Sequence, residues 1–93
     1  MNIVAFFLPQ GMVIGECIQS SADTMEVRNP ALVITRQNDV MLAPFLQLVE
    51  ETSITIKFED LAFKQVFTPI QTLTNHYNQI YGSGLVVTNV LPM

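Results

Sequence analysis

Any chemistry in this 93-residue chain has to come from very few side chains. There is one histidine, His76, and one cysteine, Cys17. A His/Cys metal site takes roughly three or four such ligands, so one chain cannot assemble it. Ser20, Ser21 and Asp23 bring hydroxyls and a carboxylate together. A nucleophilic triad would need His76 to arrive from a distant segment, and no Gly-x-Ser-x-Gly elbow surrounds either serine. Gly82-Ser83-Gly84 has the small residues of a phosphate loop but lacks its lysine and following helix, and reads as a cap and turn. Cys17 has no base or cation beside it in sequence and reads as a small core residue. Catalysis, a metal and a cofactor are therefore not expected.

The remaining chemistry is cationic. Arg28, Arg36, Lys57 and Lys64 face eight acidic residues, for a net charge of -4. That balance argues against a chain coated with phosphate-neutralising groups. Arg28 and Arg36 fall in one bent strand, and in a cyclic assembly each would recur once per subunit as a belt along a nucleic-acid strand. Hydrophobic residues make up 49% of the chain and charged residues only 13%. A small domain with so few charges is expected to hide surface in an oligomer.

These side chains need positioning elements, and the pattern predicts strands first. Ile3 to Leu8 is a short apolar run rich in β-branched and aromatic residues, ended by Pro9-Gln10-Gly11. Met12 to Gln19 follows, interrupted by Gly15. A third strand runs through Met25–Arg28 and Ala31–Thr35 across Asn29-Pro30. Asn38-Asp39 marks a hairpin, Val40 to Val49 reads as the fourth strand, and Ser53 to Glu59 alternates as the fifth. Gly15, Asn29-Pro30 and Pro44 are the expected bending points. Asp60 to Phe67 fits neither period cleanly. Thr68-Pro69-Ile70-Gln71 has the form of a capping box, and Ile70, Leu73, Tyr77, Ile80 and Tyr81 recur at helical spacing. A helix over about 69–81 is expected, with Gly82 at its end and Leu85 to Val90 as a tail strand. The fold class is mainly β: a single domain over 1–93, with a small five-stranded bent antiparallel barrel over about 2–59 and a C-terminal helix.

From Gln10 to Leu32 the chain resembles the first motif of the Sm/LSm family. Gly11, Gly15, Ile18, Asp23 and Met25-Glu26-Val27 stand in that motif's order, with Glu26 in place of the family's base-binding Asn. The second Sm motif is absent from Ile80-Tyr81-Gly82-Ser83, where Tyr81 replaces the motif's Arg. The loop between the fourth and fifth strands is Glu50-Glu51-Thr52. The whole chain also looks like small Sm-like proteins of bacteriophages infecting marine cyanobacteria. The resemblance implies an SH3-like barrel and a homo-oligomeric ring in which the fourth strand of one subunit pairs with the fifth of the next. It further implies binding of single-stranded RNA, or DNA, for RNA processing or regulation. Ser21, Asp23, Thr24, Arg28 and Arg36 are then the expected nucleic-acid contacts.

A second expectation uses the same barrel without nucleic acid, as an assembly part or adaptor. Net charge, the Glu50-Glu51 loop and the lack of a stacking aromatic in the Asp23 loop favour it. The longest apolar run, Ile3 to Leu8, is far below the ~18–20 residues of a membrane span and lacks a signal's basic flank. One cysteine allows no internal disulfide. A cytoplasmic setting is expected.

Overall fold

The computed structural model describes residues 2–82. Among them, five antiparallel strands form one bent sheet: β1 (Ile3–Leu8), β2 (Gly11–Ser20), β3 (Thr24–Arg36), β4 (Asp39–Pro44) and β5 (Ser53–Lys57). Short 3-10 turns at Phe58–Asp60 and Ala62–Lys64 lead to one helix, α1 (Gln71–Tyr81). The architecture is the expected mainly β one. The expected tail strand, Leu85 to Val90, lies outside the described residues.

The longest strand, β3, organises the sheet. One edge pairs with β2. The other is shared end to end, β4 taking Ala31–Arg36 and β5 taking Thr24–Arg28. The bend sits where sequence placed it. Ile14 pairs with Ala31 and Glu16 with Arg28, so Gly15 stands opposite two residues, Asn29 and Pro30. An unequal count of this kind twists a strand pair sharply. Asn29 takes a left-handed conformation (φ 50°), which asparagine tolerates better than most residues. Gly15 is there for space: a Cβ on it would overlap Val27 Cγ1 and approach Arg28 O to 3.3 Å.

The inner face of the bent sheet is covered, and the outer one in part. On the inner face Phe6, Val13, Met25, Val27 and Ile56 pack together, with Leu61 as a plug from between the 3-10 turns. On the outer face Leu73 and Tyr77 of α1 pack on Ile14 and Ala31. The sheet is not closed into a full barrel. A single bridge, in which Ala5 and Phe67 exchange hydrogen bonds of 2.9 and 2.7 Å, runs along the outer edge of β1.

Four local expectations change. The β3–β4 hairpin loop is Gln37-Asn38 and not Asn38-Asp39, since Asp39 is already paired to Arg36. The fourth strand stops at Pro44, which has no N–H to continue the ladder. The chain then leaves the sheet over 45–52 and returns one step away, Phe45 N–H donating to Pro30 O (2.9 Å) and Asn29 N–H to Thr52 O (2.8 Å). Thr68 does not cap α1: the cap residue is Ile70, without a side-chain cap bond. The Phe67 bridge and the burial of Pro69 hold this stretch extended past the predicted start, and Gln71 donates instead to Asn75 Oδ1 (2.9 Å). Gly82 ends α1 in a right-handed conformation (φ -88°). It is needed for room, since a Cβ there would lie 2.8 Å from Asn78 O.

Candidate functional site

The predicted nucleic-acid residues fall at three separate places along β3. Ser21, Asp23 and Thr24 form the β2–β3 turn. Their polar groups are turned on each other: Ser21 N–H donates to Thr24 O (2.8 Å), Thr24 N–H to Ser21 Oγ (3.2 Å), and the two hydroxyls lie 3.0 Å apart. Arg28 sits at mid-strand, where its guanidinium donates to Glu16 Oε1 from Nη2 (2.6 Å) and Nε (3.1 Å). That carboxylate raises the Arg28 pKa above its ordinary value and occupies the charge. Arg36 ends β3 at the hairpin opposite Asp39. Thr24 and Arg36 are the first and last residues of the strand, so no single surface gathers all five.

Sequence reasoning missed two neighbours of the first group. Phe58 N–H donates to Asp23 O (3.0 Å), which brings Lys57, Phe58 and Glu59 against Ala22, Asp23 and Thr24 around an open depression of about 550 Å³. A cation and an aromatic ring thus stand beside the turn, together with Asp23 and Glu59. Only the β3–β5 pairing makes them adjacent.

Tyr77 carries a polar role that its place in an apolar stripe concealed. It is buried, and its hydroxyl donates to Asn29 O (2.8 Å) and Arg28 O (3.1 Å). The helix is thereby fixed to the bulge that bends the sheet. Burial is the main reason the Tyr77 pKa is raised strongly.

The opposite end of α1 stands over open space. A groove of about 840 Å³ opens beside its first turn, over the part of the outer sheet face that Leu73 does not cover, with Phe7, Met12, Val33 and Val40 on its floor. Ile70, Leu73 and His76 line one wall, and Phe63 and Phe67 the other. Phe7, Phe63 and Phe67 pack edge to face, with ring centroids 5.5–6.1 Å apart. Phe63 and Lys64 both take left-handed conformations (φ 62° and 49°), an unfavourable state for side chains of this size. That backbone displays the Phe63 ring, which is 75% exposed. Ile70 is 72% exposed.

The 45–52 excursion is the second apolar display. Phe45 packs against the inner core and roots it. Gln47 Nε2 donates to Pro44 O (2.8 Å), and Leu48 turns the tip with φ 62°. Leu48 and Val49 project there, 73% and 55% exposed. Among the described residues no three His, Cys, Asp or Glu side chains gather as metal ligands. His76 lines the groove, whereas Asp23 lies beside Lys57 in the other depression. No protein-family model matches the chain, and no curated protein matches it.

Proposed function

We propose that this chain is a non-enzymatic assembly module that works by associating with copies of itself. The observation that carries this reading is the pairing of an apolar groove with an apolar loop tip on one small domain. A lone domain rarely leaves so much large apolar surface in contact with water. β4 and β5 add to it: among the described residues each pairs only with β3, so each keeps an outer edge that another copy can extend. Light scattering on the eluting peak, across a concentration series, should give a mass above that of one chain. A monomer at all micromolar concentrations would refute the reading.

A second reading, a Sm-like ring carrying single-stranded nucleic acid, rests on Lys57 and Phe58 beside Asp23 and Thr24. Aromatic stacking with a nearby cation is how such strands are held without sequence readout. Asp23 and Glu59 oppose the phosphate, and Arg28 is engaged by Glu16. This reading therefore expects weak, strongly salt-dependent binding. Fluorescence anisotropy with short single-stranded RNA at two salt concentrations tests it. Lys57→Ala should weaken binding more than Arg28→Ala, and no binding at low salt excludes it.

A further inference from the structure

We propose that the Leu48-Val49 loop tip of one copy seats in the groove beneath Ile70 and Phe63 of the next. This rests on the self-association reading and names the surfaces that carry it. The shapes correspond: an exposed pair of branched apolar side chains, and an apolar groove of about 840 Å³ with room for them. The charges correspond too. Glu50 and Glu51 follow the tip directly, while Lys64 stands between Phe63 and Gln65, two residues of the groove wall. Among the described residues none of these three charges forms an ion pair within its own chain.

The contact runs between copies because the two surfaces belong to opposite faces of the sheet. Phe45 roots the loop on the inner core, whereas the groove lies on the outer face under α1. Tip and groove are different patches, so the contact is head to tail and each copy keeps one of each for further neighbours. Such interfaces close into rings when the rotation between copies allows.

The test uses the full chain and light scattering after size exclusion, with thermal melts to confirm folding. Leu48→Asp places a charge on the tip and should weaken association roughly tenfold or more, without altering the melt of the isolated chain. Ile70→Asp should do the same at the groove, and aspartate is a favoured helix cap, so α1 keeps its start. Each variant retains the surface the other has lost, so an equimolar mixture should form a heterodimer that neither forms alone. Lys64→Glu should weaken association, and adding Glu50→Lys with Glu51→Lys should restore it. If the parent chain is a monomer, both the self-association reading and this interface fall. If the parent associates but neither Leu48→Asp nor Ile70→Asp changes its mass, self-association stands and this interface is wrong. If the two variants do not form a heterodimer on mixing, the head-to-tail arrangement is wrong.

Discussion

The two ends of α1 solve opposite problems. At the C-terminal end Tyr77 fills the space over Ile14 and Ala31, and its hydroxyl satisfies two carbonyls at the β3 bulge. At the N-terminal end the cap is bare, the sheet face beneath is apolar, and strained residues hold Phe63 over the gap. One end spends its side chains on fixing the fold. The other leaves Phe63 and Ile70 exposed over an open apolar groove.

If that division is correct, substitutions should hurt stability in the closed region and spare it in the open one. The largest loss is expected from Phe6→Ala, which empties a fully buried position on the inner face and should cost about 3–5 kcal/mol by chemical denaturation. Gly15→Ala comes next. Its new methyl meets Val27 and the β3 backbone, so the bend must open, for about 1–3 kcal/mol.

Tyr77→Phe should cost about 1–2 kcal/mol, because two carbonyls lose their shared donor. It also has a pH signature. The native state holds the Tyr77 proton more tightly than the unfolded chain, whose tyrosines release theirs near pH 10. Stability from this group is whole below about pH 10 and falls as the pH rises beyond it. Thermal melts between pH 9 and 11 should show that alkaline loss in the parent and a smaller one in Tyr77→Phe. Burial raises the Tyr81 pKa as well, so some loss remains.

The smallest effect belongs to the open end. A true helix cap would lose roughly 0.5–2 kcal/mol on truncation. Thr68→Ala should instead lose less than about 0.5 kcal/mol, because the helix starts after Ile70 without it. A loss the size of a cap's would show that α1 begins earlier in solution and would erase the contrast between its ends.

Some of this was readable in the chain as written. Alternation in Ser53 to Glu59 and the apolar run Ile3 to Leu8 gave strands with nearly the right limits, because both signals depend on adjacent residues. The fifth strand ends two residues sooner, at Lys57, where the chain enters the 3-10 turn Phe58–Asp60. Gly15 and Asn29-Pro30 were recognisable as bends, since few residues tolerate the backbone a bend requires. The end of the fourth strand was less legible. Leu48 and Val49 are as apolar as a strand residue should be, and only their place in the 45–52 excursion leaves them exposed. The predicted site was legible as residue types, while its spread was set by the strand, for Thr24 and Arg36 stand at opposite ends of β3.

Local pattern was enough for the fold class, the bend at Gly15 and Asn29-Pro30 and the existence of the helix, because each follows from the backbone preferences of neighbouring residues. Pro44, expected as a third bend, instead ends β4. Where α1 starts, what Arg28 and Tyr77 bond to, and which residues flank Asp23 were decided by packing. Those outcomes depend on groups distant in sequence: Ala5 claiming Phe67, Glu16 claiming Arg28, the β3 bulge claiming Tyr77, and β5 bringing Phe58 to Asp23. The groove has the same origin. Its lining joins Phe7 of β1, Met12 of β2 and Val33 of β3 to Phe63, Phe67 and Ile70, and no single segment of the chain holds that set.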